Sequence, residues 1–297
     1  MSQSFFKRLF GQSATVAPAV VEAIAELQRL SQDQPALARH AQTLAAALPI
    51  VCADVALDAD WRLPADRIAA KWAAGMPLLR GETPPLIPAE FTQRWLALCD
   101  ILTGQIGKEP ARALAKAMRQ GELPVNELMG WVLAGQLTAL HARADVLGLD
   151  ADLAATFLRW TLFPLLTRLQ QSLASLLPAE RWPLGFCPIC GAWPILGEFR
   201  GLEQVRFLRC GLCAAAWEFP RLCCPFCDNT DHRQLGYFHT EGDEGKRVAT
   251  CDACRGYVKM VTALTPLTPQ RLLVADVATL HLDLVAAERG YATPSRA

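Results

Sequence analysis

Eight cysteines of this 297-residue chain come as four Cys-x-x-Cys pairs: Cys187/Cys190, Cys210/Cys213, Cys224/Cys227 and Cys251/Cys254. A turn of that spacing lets two thiolates converge on one cation, and its backbone amides hydrogen-bond to the sulfurs. Two such turns facing each other make a closed four-thiolate metal site. Eight paired ligands suffice for two sites and leave no open coordination position, which points to metals that hold structure rather than metals that catalyse. A ninth cysteine of the same stretch, Cys223, abuts Cys224 and reads as a spare, because the two-residue gap to Cys227 selects Cys224. Cys52 and Cys99 lie in apolar helical sequence and read as small core residues. His232 and His239 fall between the pairs and would be ligands only if a cysteine were displaced.

Loop entropy alone leaves the pairing open, since an interleaved arrangement closes longer loops at only slightly greater cost. The resemblance between the two halves favours sequential pairing. Cys187-Pro-Ile-Cys190 and Cys224-Pro-Phe-Cys227 each open a unit, and each unit closes with a proline-free pair. The result is two tandem rubredoxin-like or zinc-ribbon modules. Disulfides would need an oxidising compartment, a thioredoxin-type redox pair would need a flanking βαβ pattern, and the gaps suit mononuclear ions better than iron–sulfur clusters.

The elements that must position these turns are short strands. Glu203–Arg209 leads into Cys210, and Ala216–Leu222 leaves Cys213 with Trp217 and Phe219 on one face. Leu235–His239 and Arg247–Thr250 flank the acidic, glycine-containing stretch Thr240–Lys246, which reads as a hairpin loop. Lys259–Leu264 is a further strand, and Asp276–Gly290 an amphipathic closing helix. Modules this small cannot bury a self-sufficient core, so the ion supplies much of their folding free energy.

Upstream the apolar period is helical. Helices are expected at Pro18–Leu30, Pro35–Leu48, Asp66–Ala74, Ala89–Gln105, Pro110–Arg119, Val125–Leu147 and Ala151–Leu177, with breaks at Pro49, Pro64, Pro77 and Gly121 and a kink at Pro164. The expected fold class is therefore an amino-terminal all-α domain (1–181), two four-cysteine ribbons (182–222 and 223–265), and a carboxy-terminal helix and tail (266–297). The proline-rich connection Gly75–Pro88 reads either as an exposed docking loop or as a plain inter-helix crossing.

Composition narrows the function. Lys plus Arg and Asp plus Glu both number 29, and the ribbon region from Pro183 to Thr262 balances at nine each. Nucleic-acid binding depends on clustered cations that neutralise phosphates, so a zinc-ribbon nucleic-acid binder is a minor reading. No phosphate-cradling glycine loop, nucleophile elbow or HExxH pair occurs, and no enzyme is expected. His40 and His141 stand alone on helices, and Trp61, Trp72, Trp95, Trp131 and Trp160 read as core. Met1–Phe10 has no sustained apolar run after its charges, and the longest uncharged run upstream of the cysteines, Leu128–Ala142, is too short for a bilayer. A cytoplasmic protein with reduced thiols is expected.

One ordered block goes further: Cys187-Pro-Ile-Cys-Gly191, Arg206-Phe-Leu-Arg-Cys-Gly-Leu-Cys213, Trp217 with Arg221, Cys224-Pro-Phe-Cys227, Cys251-Asp-Ala-Cys-Arg-Gly-Tyr-Val-Lys259, Asp276-Val-Ala-Thr-Leu280 and Glu288-Arg-Gly-Tyr-Ala292. It resembles the formate dehydrogenase accessory protein family, FdhE-type. The resemblance implies a cytoplasmic maturation factor, a system-specific chaperone. Its partner would be the catalytic subunit of a molybdenum- or tungsten-containing formate dehydrogenase, bound before export. It implies a rubredoxin-like, iron-binding role for the eight paired cysteines, although a four-thiolate cage suits zinc as well. The alternative function is a redox protein that passes electrons to a client enzyme or its cofactor.

Overall fold

The computed structural model describes residues 16–57, 61–240 and 245–293. The reading of Met1–Phe10 and the centre of the expected 240–246 loop lie outside the described residues. The chain divides into two compact units: Met1–Asp58 with Thr83–Leu165, and Ala59–Glu82 with Leu166–Ala297, each as far as the described residues go.

The first unit is helical. It holds α1 (Pro18–Asp33), a short 3-10 turn (Pro35–Leu37), α2 (Ala38–Val51), α4 (Pro88–Ile106), α5 (Lys108–Arg119), α6 (Val125–Ala134), α7 (Leu137–Val146) and the start of α8 (Ala151–Ala174). Its core centres on fully buried Trp95, whose ring meets Phe91 at 6.1 Å and Phe157 at 5.5 Å while Nε1 donates to the Leu114 carbonyl at 3.3 Å. Two boundaries differ from the periodicity. Pro49 lies inside α2, where it removes one hydrogen bond of the last turn without ending the helix. The single helix expected over Val125–Leu147 breaks where Gly135 takes a left-handed φ of 75° and caps α6.

The second unit carries α3 (Ala65–Ala73), the end of α8 and a six-stranded sheet. The strands are β1 (Pro194–Arg200), β2 (Val205–Cys210), β3 (Ala216–Glu218), β4 (Leu235–Phe238), β5 (Lys246–Cys251) and β6 (Tyr257–Ala263). The order β3-β2-β1-β6-β5-β4 shows how the halves relate. Each module runs turn, strand, strand, turn, strand, and pairs its own strands antiparallel. The modules then join edge to edge through the parallel pair of β1 with β6, registered Leu196 to Lys259 and Arg200 to Ala263. The tandem ribbons are thus one continuous sheet, in which each module covers an edge the other would leave unpaired.

The closing helix is two helices. α9 (Pro269–Ala278) starts at Thr268, whose hydroxyl accepts from the Arg271 amide at 3.3 Å. It stops at buried Thr279, whose hydroxyl turns back to the carbonyls of Ala275 (2.7 Å) and Asp276 (3.1 Å). α10 (Leu280–Glu288) follows and packs on β5 and β6, where Leu282 and Ala286 meet Val248 and Tyr257. Buried Lys259 of β6 donates to Asp276 (2.8 Å) and Asp283 (2.7 Å), pinning both helices to the sheet. No described helix is long and apolar enough to cross a membrane.

The modules also meet at Gly185, where an added β-carbon would overlap the Pro225 backbone of the third cysteine turn. A backbone neighbour cannot rotate aside as a side chain can. Gly185→Ala is therefore expected to cost about 1–3 kcal/mol or more, read as a lowered melting temperature, whereas Gly201→Ala meets no neighbour and bears only the strain of its positive φ.

Candidate metal centres

All four cysteine turns have one local construction. The amide of the leading cysteine donates to the carbonyl five residues on: Cys187 to Ala192 (2.9 Å), Cys210 to Ala215 (2.9 Å), Cys224 to Asn229 (2.9 Å) and Cys251 to Gly256 (3.0 Å). The residue after each second cysteine is left-handed: Gly191 (φ 81°), Ala214 (58°), Asp228 (56°) and Arg255 (58°). Three of these carry a side chain that disfavours that region, by about 1 kcal/mol or more. The turn is therefore held by its surroundings rather than by local preference.

These turns face each other in pairs. The sulfurs of Cys187, Cys190, Cys210 and Cys213 form one group, and those of Cys224, Cys227, Cys251 and Cys254 another, all sulfurs within a group lying within 4.8 Å of one another. Cys187 lies 3.5 Å from Cys213 and Cys190 3.4 Å from Cys210; Cys224 lies 3.6 Å from Cys254 and Cys227 3.7 Å from Cys251. The cysteines are free thiols rather than disulfides. A tetrahedron with metal–sulfur bonds of about 2.3 Å has edges of about 3.8 Å, so each group has the dimensions of a single-ion cage and could hold a metal ion. Amide donors aim at the sulfurs as well: Leu212 and Cys213 at Cys210 Sγ (3.3 and 3.5 Å), and the Asn229 side chain at Cys251 Sγ (3.6 Å).

Cys223 stays outside both groups, with its sulfur against the Cys224 carbonyl. His232 and His239 are exposed and join neither. Cys99 is buried and Cys52 half-buried; burial pushes both thiols up to about 12.

The two groups differ in surroundings. In the first all four sulfurs are buried, whereas in the second Cys227 is exposed and Cys254 half-buried. Each is strapped by a segment from outside its ribbon. On the first, the amides of Leu78 and Leu79 donate to the carbonyls of Pro188 and Ile189, both at 2.8 Å. Leu78 and Leu79 are fully buried, so this part of Gly75–Pro88 is neither an exposed docking loop nor a plain crossing. Buried Lys71 holds it by donating to the carbonyls of Leu78 (2.8 Å) and Arg80 (2.6 Å) and pairing with Glu82. On the second, the Ala292 amide donates to the Arg255 carbonyl (2.9 Å), Arg255 donates to the carbonyls of Arg289 (2.5 Å) and Gly290 (3.2 Å), and the Tyr291 hydroxyl donates to Asp252 (2.6 Å). An aromatic series joins the two: Trp72, Trp182, Phe186, Trp193 and Phe226, with successive centroids 4.9, 5.8, 5.9 and 5.3 Å apart.

The nearby guanidiniums differ too. Beside the first group, Arg209 pairs with fully buried Glu198, which also accepts from Arg200 at 2.5 Å. Beside the second, buried Arg206 donates to the carbonyls of Pro220 and Cys223, both at 3.0 Å, and lines a small cavity with Arg221, Cys223, Cys224 and Cys251. Burial lowers Arg206 to about 10, against the opposing pull of Cys224 and Cys223, so it stays cationic at neutral pH.

The fold and the two sulfur cages define a tandem four-cysteine ribbon protein with helical additions at both ends. Residues 186–221 match the family model "FdhE, central domain" and residues 222–296 match "FdhE, C-terminal domain". Among relatives, the chain is 40% identical over 143 residues to a "Protein FdhE homolog" of Stutzerimonas stutzeri (strain A1501), covering 46% of this chain and 44% of that protein. It is 31% identical over 210 residues to a "Protein FdhE homolog" of Pseudomonas aeruginosa, covering 66% and 64%. These matches span less than two thirds of either relative. The fold is shared with the crystal structure of the FdhE protein from Pseudomonas aeruginosa, with a TM-score of 0.62 over 93% of both chains at 23% identity.

Burial orders the reactivity of the metal-free thiols. Brief alkylation at pH 8 should label Cys227 first, while Cys187, Cys190, Cys210, Cys213 and Cys99 stay unmodified until denaturant is added, as peptide mass spectrometry would show. Protonation gives a second outcome. Hydrogen bonding to Cys187 and then burial raise Cys190, and burial followed by the neighbouring sulfurs raises Cys213. In the second group burial raises Cys224, and it raises Cys254 to about 11. Each metal-free group therefore keeps at least two protons at pH 7, and an entering cation must displace them. Zinc affinity should rise with pH, about tenfold per unit for each proton released, and a weakly buffered titration should record at least two protons per ion.

Proposed function

We propose that this chain is an accessory factor for formate dehydrogenase assembly. It would act without a catalytic centre of its own, docking on the catalytic subunit of a molybdenum- or tungsten-containing formate dehydrogenase in the cytoplasm, as a system-specific chaperone, before export. The observation that carries this reading is the coincidence of two features: the stretch matching both FdhE domains is the stretch that folds into the paired cages. In this reading Cys187, Cys190, Cys210 and Cys213 hold one ion, and Cys224, Cys227, Cys251 and Cys254 the other. Four thiolates accept iron or zinc, and iron is the metal that the family resemblance favours. A bound ion supplies folding free energy and fixes the two turns it joins. The chain's own residues do the rest: the sheet spaces the turns, the straps at 78–79 and 290–292 lock their outer faces, and the helices that precede the ribbons add contact area.

A tagged full-length chain, recovered under reducing, metal-replete conditions from cells making a formate dehydrogenase, should bring down the catalytic subunit. Recovery of the chain alone, with formate dehydrogenase activity unchanged when its gene is deleted, would reject the accessory role. A second reading, transfer of electrons through rubredoxin-like iron, is favoured by the exposure of Cys227. Visible absorption that bleaches on reduction would support it, and a colourless zinc form with full accessory activity would exclude it.

A further inference from the structure

The second cage has a buried cationic neighbour with no carboxylate partner among the described residues, whereas that of the first is paired. A divalent ion in four thiolates leaves a net double negative charge, which is costly in a partly buried place unless positive groups face it. At the first cage the adjacent guanidinium, Arg209, is already matched to Glu198. Arg206 is 4% exposed, its Nε has no hydrogen-bond partner among the described residues, and no ion pair joins it to a described carboxylate. Its Nη1 is taken up by backbone carbonyls of Pro220 and Cys223, the segment that runs directly into Cys224. The cavity it lines opens on Cys223, Cys224 and Cys251.

We propose that Arg206 is the electrostatic partner of the second four-cysteine centre: reaching from β2 of the first module, it sets the Cys223–Cys224 elbow and offsets the charge of the loaded cage. This deepens the metal-binding reading and rests on it. Arg206 is a positioning residue, acting through the backbone that leads into Cys224 and through its charge, as outer partners of metal ligands do. It also makes the second centre dependent on the first module, because the cation belongs to one ribbon and the thiolates to the other.

The test uses the full chain with Co(II) and Zn(II) as probes. It compares wild type with Arg206→Met, which keeps the bulk and removes the charge, and Arg206→Lys, which keeps the charge and loses the planar fork. Stoichiometry is read from thiolate-to-cobalt absorption, affinity from chelator competition, and the weaker site from which cysteines become alkylated as the first ion leaves. Wild type is expected to take two ions. Arg206→Met should still take two, one of them about 10–100-fold weaker, with Cys224, Cys227, Cys251 and Cys254 the thiols released. Arg206→Lys should stay within a few-fold of wild type. Two unchanged affinities in Arg206→Met, or weakening at the first group, would overturn the proposal. A Lys variant as weak as the Met variant would also overturn it, assigning the effect to the hydrogen bonds alone. Should Arg206→Met fail to fold, the Lys variant decides by the same criterion. Wild type taking up fewer than two ions overturns the metal reading itself, an outcome distinct from two tight ions insensitive to residue 206.

Discussion

Gathering four sulfurs to within bonding distance of one point is the constraint on which the second unit depends. Thiols 3.4–3.7 Å apart cannot all ionise unaided, since each added charge is opposed by burial and by its neighbours. A cation removes the opposition and converts two loops into one fixed crossing. The turns are shaped for that outcome at a conformational cost. Ala214, Asp228 and Arg255 occupy left-handed backbone with β-carbons attached, and such positions persist only where the surroundings over-determine them.

Inside the ribbons Arg209 donates to the Ala214 carbonyl at 3.2 Å, and two of the four turns are also held from outside. The Leu78–Leu79 amides hold the first turn from its outer face, and the Gly290–Ala292 segment holds the fourth. The residues of the resembling block that are not cysteine therefore have identifiable work. Arg255 and Tyr291 close the strap, Lys259 and Asp276 fasten the helices to the sheet, and Arg206 and Arg221 approach the third turn. Gly185 is glycine because another module's backbone occupies the space its β-carbon would need.

The grouping of the paired cysteines was legible because their spacing is local: two residues between thiols is a property of one turn, and the repeated Cys-Pro-x-Cys opening marks where each module starts. Helix existence was legible for the same reason, apolar period being a short-range signal. Long-range features were not. β1 begins at a proline and buries a glutamate, Glu198, whose partner Arg209 lies on β2, so its pattern does not read as a strand. The parallel β1–β6 pairing joins positions some sixty residues apart and has no local signature. Leu78 and Leu79 looked exposed because the turn to which their amides bond lies more than a hundred residues further along the chain. The break at Thr279 turns on one hydroxyl's choice of carbonyl, which periodicity cannot register.

The two centres share a motif and differ in how the chain closes them. The second is closed by residues that follow it directly: α9, α10 and the strap at 290–292 all lie within 222–296, the span of the matched C-terminal domain. The first is closed from far upstream, by residues 78 and 79 acting on 188 and 189. Loop closure over such a separation costs more entropy and comes later in folding than a local contact. Residues 186–221, the matched central domain, therefore contain the four thiols of the first cage without the segment that locks it. The burial difference follows from the same arrangement. The cage with the distant strap is sealed, while the one whose strap comes from the sequence just after it leaves Cys227 at the surface. One module thus has the environment of a fixed structural joint. The other, more open and with its counter-charge supplied by its neighbour, is where the surroundings of the molecule can reach a bound ion.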